Sequence, residues 1–313
     1  MDKKVRILVT DPISKGAIKQ LQDNGYDVTV NELSQDGLLK TIKDFDVLVV
    51  RSRTKVTKEI IEAGTKLKVI ARAGVGLDNV DVNAAKLKRI TVLNSPEAPS
   101  VSVAELVFGF MLSLARSISI ADAALKEGKW LKHTLVGSEL RGKILGIVGF
   151  GRIGREVARR AIAFEMKAQA YDVLSASLES ASRMGVEAVG SNRTALEKLV
   201  RTSDYITIHV PALPETHHMF GEKEFALMKR NAVVINASRG GVIDESALSK
   251  AIKDGKIGGA GLDVFEEEPP KNLNLVRLPN VVCTPHIGAQ TNEAQEAAGE
   301  IISAKIMELL QKK

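Results

Sequence analysis

Three short stretches of the chain set reactive side chains just beyond runs of apolar residues. "VVINASRGGVIDESAL" offers Arg239 before two glycines, "GAGLDVFEEEPP" offers Asp263 and then Glu268 beside Pro269, and "VVCTPHIGA" offers His286 between Pro285 and Ile287. Oxidising an alcohol by hydride transfer asks for a base to take the hydroxyl proton, a cation for an acid group on the substrate, and a surface that holds a nicotinamide. An imidazole changes protonation near neutral pH without much tuning, so His286 suits the base. Glu268 can hold that ring in one tautomer and stabilise its protonated form, and the planar fork of Arg239 matches a carboxylate. Taken singly, each has a plainer reading: a surface ion-pair partner, one of three solvated glutamates, a ring held by turn packing. Together they form a workable set that requires no metal.

A fourth stretch, "KILGIVGFGRIGREVARRA", runs from an apolar strand through Gly149, Gly151 and Gly154 into a helical pattern. The first glycine allows a tight turn, the second lets a pyrophosphate approach the backbone, and the third lets helix and strand pack closely. Backbone N–H groups of Gly151, Arg152 and Ile153 then face the phosphates from a helix start. A second strand, "AQAYD", ends in Asp172 about 20 residues on, where a carboxylate can take both ribose hydroxyls and repel a 2′-phosphate. The spacing therefore predicts NAD rather than NADP.

Parallel β-α-β units must carry these groups. Short β-branched runs ("VRILVT", "YDVTV", "FDVLVV", "KVIAR", "ITVL") alternate with amphipathic stretches, and the pattern repeats after residue 140, so two α/β domains with an intervening cleft are expected from 313 residues. In an open parallel sheet the carboxyl ends of the strands border the ligand crevice. Residues Ser100 to Gly128 read as one long helix, and "TNEAQEAAGEIISAKIMELLQKK" as a terminal helix with lysines at its end that needs a surface to pack on. The net charge of +6 is spread among interleaved acids and bases, which favours small anionic substrates and not nucleic acid. The single cysteine, Cys283, leaves no internal disulfide and reads as an inert buried thiol. No apolar run reaches membrane-spanning length, and "MDKKVRILVT" passes straight from charge into a strand, so a cytoplasmic location is expected.

In order along the chain, "GFGRIG", "NASRGG", "LDVFEEEP" and "TPHIGA" resemble the NAD-dependent D-2-hydroxyacid dehydrogenase family over nearly its whole length. The resemblance implies that Arg239, Glu268 and His286 are the catalytic set, Glu268 being the glutamate that directly precedes proline. It implies that Asp263 holds the nicotinamide carboxamide, and that His209, Val210, Pro211, Ala237, Val75, Gly288 and Ala289 line the cofactor site. It further implies two doubly wound parallel-sheet domains: a Rossmann-type nucleotide domain, 98–285, inserted into a flavodoxin-like substrate domain made of 1–97 and 286–313. Crossings near Ser100 to Gly128 and at Pro285 would let the domains close and exclude water.

The amino-terminal half adds "VVRSRTKVT", with Arg51 and Arg53 alternating along a strand end, and "VIARAGVGLDNVD", where Arg72 precedes Ala73, Gly74 and Val75, a small-residue turn able to present N–H groups to an anion. These stretches resemble the branch of the family that oxidises 3-phospho-D-glycerate to 3-phosphohydroxypyruvate, the opening step of phosphorylated serine biosynthesis. The resemblance implies that the arginines bind a substrate phosphate, that Trp130 lies at a homodimer interface, and that Lys132 reaches the partner's phosphate. A glyoxylate or hydroxypyruvate reductase would share the catalytic set without needing those cations, and an NAD-sensing corepressor would share the fold. Only 27 residues follow His286, so no serine-binding regulatory domain is expected.

Overall fold

In a computed structural model the structure describes residues 4–311. The β-branched runs become short strands, most of them buried on both faces, as happens where helices cover a parallel sheet on each side. In the first sheet these are β1 (Arg6–Val9), β2 (Asp27–Val30), β3 (Val47–Val50), β4 (Val69–Arg72) and β5 (Thr91–Asn94), all parallel in the order β2-β1-β3-β4-β5. The second holds β6 (Ile144–Val148), β7 (Lys167–Tyr171), β8 (Glu187–Gly190), β9 (Tyr205–Ile208), β10 (Val233–Asn236), β11 (Gly259–Leu262) and β12 (Val281–Cys283). They too are parallel, ordered β12-β11-β10-β9-β6-β7-β8. The first order is the flavodoxin-like one, and the second is the dinucleotide-binding order extended by a strand. In each the order reverses at a switch point, β1/β3 and β6/β9, where such sheets bind ligands.

The chain divides into two compact units, Met1–Ser100 with Ala289–Lys313, and Val101–Gly288. His286 thus belongs to the second unit and does not open the returning segment of the first.

Alternation along the strands assigns each unit two half-cores. In the first unit Ile7, Val9, Val47 and Val49 face one side, while Leu8, Leu48 and Val50 face the other. The terminal helix, Asn292–Gln311, covers the former through Ala298, Ile302 and Ile306, spaced so that all three share a helix face. Ser303 donates to Gln20 Oε1 at 2.5 Å and Lys305 to the Asn94 carbonyl at 2.9 Å, which fixes the helix along its axis. Lys312 and Lys313, the expected lysine end of that helix, lie outside the described residues.

Two expectations about elements need correction. The stretch from Ser100 is two helices, Ser100–Arg116 and Ile118–Lys126, bent by 67° at Ser117, whose φ is 51°. Val103, Val107, Phe110 and Met111 of the first sink into the second unit's core, whereas Ile118, Ile120 and Leu125 of the second are exposed, so the two apolar faces do not share one axis. The serine and isoleucine run "RSISI" is weakly helical and gives way there. Among the described residues no single helix is long and apolar enough to cross a membrane. The seventh strand, β8, has no counterpart in the sequence reading, because it is an edge strand of four residues without a buried alternating face.

Ile302 is 1% exposed. Ile302→Ala is expected to lower unfolding free energy by roughly 2–5 kcal/mol through lost burial and an unfilled cavity, measured by urea unfolding; a change below about 0.5 kcal/mol, the scatter of surface substitutions, would mean that the terminal helix is not part of the first unit's core.

Candidate active site

The glycine turn leaves β6 at Val148. Gly149 has φ of 93°, and a β-carbon built there would lie 2.5 Å from the His209 carbonyl oxygen. One built on Gly154 would collide with the Gly149 carbonyl, whereas one built on Gly151 meets nothing within 4 Å. The first and third glycines are therefore demanded by the protein itself, and the second leaves open space beside the turn. Helix Arg152–Ala163 begins at this turn with no side-chain cap from Gly151, which makes its start suited to an anion. Asp172, just past β7, accepts the Phe150 N–H at 2.7 Å and the Leu174 N–H at 2.8 Å on separate oxygens. Each oxygen has a second lone pair for a ribose hydroxyl. The carboxylate shapes the turn as well as facing the site, and the residues present fit a dinucleotide.

His209 follows β9 at the switch point. Its Nε2 lies 2.9 Å from Thr207 Oγ1, its Nδ1 is buried without a hydrogen-bond partner among the described residues, and burial pushes its pKa down to about 3. The ring is neutral at ordinary pH. Val210 sits against the Gly149 turn.

At the far side of the same sheet, His286 Nδ1 is 2.8 Å from Glu268 Oε2, with both side chains about half exposed. In the tautomer that satisfies this contact Nδ1 donates to the carboxylate, and Nε2 is the nitrogen without a proton. The second Glu268 oxygen accepts the Phe265 N–H at 3.4 Å. His286 has φ of 54°, in the left-handed region. Asp263, 1% exposed, holds it there: its carbonyl accepts the His286 N–H at 2.8 Å, and its carboxylate accepts Thr284 Oγ1 at 2.5 Å and the Ile287 and Gly288 N–H groups at 2.8 Å each. Three of the four carboxylate lone pairs thus brace the histidine's turn, and one on Oδ2 is left for another donor.

Arg239 rides on a turn built by Asn236, which donates to the Arg239 carbonyl at 2.9 Å and accepts from the Ser238 N–H and hydroxyl at 3.0 and 2.7 Å. Arg239 Nη1 donates to the Ser238 carbonyl at 2.6 Å. Only a glycine fits at 240, where a β-carbon would collide with the Phe265 carbonyl. The arginine loop is thereby packed on the loop that carries Glu268. Buried Ala237 and the segment from Pro211 belong to the same strand-end edge, and a cavity of about 370 Å³ lies there, lined by Leu213, Pro214, Thr216, His217 and Gly241 among others. Sequence reasoning passed over Thr284 and Asn236; the available signal was a polar residue standing directly between a strand and a motif.

The cations of the first unit are less uniform than their sequence suggests. β3 ends at Val50, so Arg51 lies just past the strand and Arg53 on the bend that follows, and the two do not alternate along a strand. Arg53 is committed internally, to Asp11 at 3.3 Å, Glu32 at 2.6 Å and the Thr10 carbonyl at 2.8 Å. Arg51 donates to neutral oxygens, those of Pro12 at 3.4 Å and Gln295 at 3.2 Å; burial lowers its pKa, and Asp11 acts only as a nearby charge that raises it. Arg72 lies over Gly74, whose φ of 150° and missing side chain admit the guanidinium. The Ala73 N–H is spent on the Val50 carbonyl at 2.8 Å, so the anion-facing turn narrows to Gly74 and Val75. Lys132 is exposed, as is Trp130 at 75%. Burial pushes the Cys283 thiol up to about 11, and among the described residues no group of three His, Cys, Asp or Glu side chains is placed to hold a metal.

The doubly wound sheet, its glycine turn and the acidic residue after the second strand define a dinucleotide-binding protein. Residues 108–288 match the model of the D-isomer specific 2-hydroxyacid dehydrogenase NAD-binding domain. Similar curated proteins include D-3-phosphoglycerate dehydrogenase of Methanocaldococcus jannaschii, 52% identical over 98% of this chain and 57% of that one. Hydroxypyruvate reductase of Thermotoga maritima is 49% identical over 98% of this chain and 99% of that one. Among solved structures, D-lactate dehydrogenase from Aquifex aeolicus, complexed with NAD and lactic acid, aligns with a TM-score of 0.83 at 30% identity, covering 98% and 96% of the two chains. The chain belongs to the D-isomer specific 2-hydroxyacid dehydrogenases, and it spans a little over half the length of the phosphoglycerate relatives it matches.

The neutral ring of His209 has a consequence for acid stability. The unfolded chain takes up a proton near the ordinary histidine pKa while the folded one refuses it until about pH 3, so this stability is complete above about pH 6.5 and declines as pH falls through that window. His209→Asn is expected to reduce the loss of unfolding free energy between pH 7 and pH 5 by about 1–2 kcal/mol. Urea titrations at the two pH values measure it, and parallel losses in both proteins would exclude a neutral buried imidazole.

Proposed function

We propose that the chain oxidises 3-phospho-D-glycerate to 3-phosphohydroxypyruvate with NAD. The observation that carries the chemistry is the 2.8 Å contact between Glu268 and His286 on a turn braced by Asp263, with the Arg239 loop packed beside it. In this reading Nε2 of His286 takes the proton of the C2 hydroxyl, and Glu268, bonded to Nδ1, stabilises the imidazolium that forms. Arg239 binds the substrate carboxylate with its fork and fixes the orientation of C2. NAD, when bound, supplies the hydride acceptor. The Gly149–Gly154 turn and Asp172 would hold its pyrophosphate and adenine ribose, and His209, Pro211 and Ala237 would line its path, with the last Asp263 lone pair turned to the carboxamide.

The phosphate is assigned to Arg51 and Arg72, with the N–H groups of Gly74 and Val75. Arg51 is favoured over Arg53 because its acceptors are neutral, so its charge is not cancelled by a bonded carboxylate. A homodimer forms part of the proposal, supported by exposed Ile118, Leu125, Trp130 and Val136 on adjoining stretches of the second unit, and Lys132 is assigned to the partner's substrate. A cytoplasmic setting is consistent with the lone, part-buried Cys283. Reduction of hydroxypyruvate is the second reading, supported by the relative of that name.

An NADH absorbance assay with 3-phosphoglycerate, glycerate, lactate and hydroxypyruvate decides between them. We expect kcat/KM to favour the phosphorylated acid by about 100-fold, of the order that two charge-assisted contacts supply, and Arg51→Gln to remove most of that preference while Arg53→Gln keeps it. Equal use of glycerate and phosphoglycerate would exclude the phosphate assignment. His286→Ala is expected to lower turnover by about 100-fold or more with NAD binding retained; unchanged turnover removes His286 from the reaction.

A further inference from the structure

Beside the catalytic pair, a second set of titratable groups fastens three loops together. Glu245 opens helix Glu245–Lys253 and is 8% exposed. Its Oε1 accepts the Glu266 N–H at 2.7 Å, and its own N–H donates to Glu266 Oε1 at 3.1 Å. That carboxylate therefore sits at the first free amide of a helix, where the N-terminal dipole favours an anion. Burial, with Glu266 and Glu267 close by, raises the pKa of Glu245. His218, on the loop after β9, brings Nε2 within 3.1 Å of the same Glu266 oxygen and Nδ1 within 3.9 Å of Asp244. His217 stacks on it with ring centroids 3.9 Å apart. Backbone bonds complete the fastening: the His218 N–H donates to the Gly241 carbonyl at 2.7 Å and the Phe220 N–H to Val242 at 3.1 Å.

None of these groups touches the catalytic atoms, yet two of the three loops they join carry one of them, Arg239 after β10 and Glu268 after β11. Arg239 directly precedes Gly240, which packs on the Phe265 carbonyl, and Glu268 stands two residues beyond Glu266. A shift of Glu266 relative to Glu245 would alter the separation of the guanidinium from the Glu268–His286 pair without moving the Gly149 turn.

We propose that Glu245 and Glu266, locked by reciprocal hydrogen bonds and steadied by His218, are positioning residues that set Arg239 against Glu268 and His286. This rests on the reading of those three as the catalytic set. Misplacement by about 1 Å is enough to cost up to 100-fold in rate, so the lock acts on turnover and not on cofactor affinity.

Glu245→Ala removes the acceptor for the Glu266 N–H, and Glu245→Gln keeps it. In full-length protein, kcat is expected to fall about tenfold or more in the alanine variant, with NAD dissociation constant within about twofold of wild type by fluorescence titration, and to return to within about threefold in the glutamine variant. Hydrogen exchange should quicken at Glu266 and across 238–242 in Glu245→Ala only, leaving 149–154 unchanged. Unchanged kcat in the alanine variant, equal losses in both variants, or an NAD affinity that falls in step with kcat each overturns the positioning role. If the wild type turns over no 2-hydroxy acid, the catalytic reading itself falls; the exchange arm then decides the lock alone, and unaltered exchange across 238–242 would overturn it.

Discussion

A buried carboxylate holds the turn of the candidate catalytic histidine in place. Asp263 lies at the end of β11, almost without solvent, and an anion in that position is tolerated only when donors surround it. The turn after β12 supplies them from Thr284, Ile287 and Gly288, while the Asp263 carbonyl takes the His286 N–H. Four bonds converging on one residue leave the turn little freedom. They also offset the cost of a left-handed non-glycine residue, about 1–3 kcal/mol, which is how His286 remains in a conformation that its side chain does not favour. The reward is direction: from that backbone the ring meets Glu268, and Nε2 faces away from its partner.

Parallel register brings the remaining groups to the same edge. Asn236 pairs with Leu262 and Leu262 with Cys283, so β10, β11 and β12 end level. One residue later Asp263 and Thr284 are adjacent, and three residues after Asn236 stands Arg239. The distance between the candidate catalytic groups is thus a property of strand pairing first and of loop structure second. Glycines at 240 and 154 close the remaining gaps, since a side chain at either would meet a carbonyl of the neighbouring segment. At the opposite end of the edge, the same sheet presents the phosphate-suited turn and Asp172.

The candidate site was legible in the sequence wherever its determinants are local. Gly149 and Gly154 are marked by the turn that needs them, Asp172 by its distance from that turn, and Arg239, Glu268 and His286 by their places just after strands. What the sequence hid depends on partners distant along the chain. Arg53 reads as a free cation beside Arg51, but Asp11 and Glu32 come to it at the ends of β1, which pairs with β3, and of β2, which pairs with β1, only in the folded sheet. Ala73 reads as part of an anion-binding turn, yet its N–H continues the β3 and β4 ladder. The bend at Ser117 was equally invisible, because apolar periodicity on either side continues unbroken while the surfaces it must meet differ. β8 escaped for the opposite reason: an edge strand needs hydrogen-bonding partners but no periodic apolar face.

The contrast between Arg51 and Arg53 bears on how a family's shared chemistry could be turned to one substrate. On the proposed reading, hydride transfer from a 2-hydroxy acid asks only for the groups at the ends of β10 to β12, which would not by themselves distinguish one such acid from another. Selectivity for a phosphate needs positive charge that folding has not already neutralised. Asp11, 2% exposed, takes the Arg51 and Thr54 N–H groups, the Thr54 hydroxyl and the Arg53 guanidinium, and so organises this loop as a polar core of its own. With half-exposed Arg53 paired to Asp11 and Glu32, its neighbour Arg51 is held by neutral carbonyl and amide oxygens in a partly desolvated position. A guanidinium in that state gains more from a dianion than a fully hydrated one does, because less water has to be displaced when the ligand arrives.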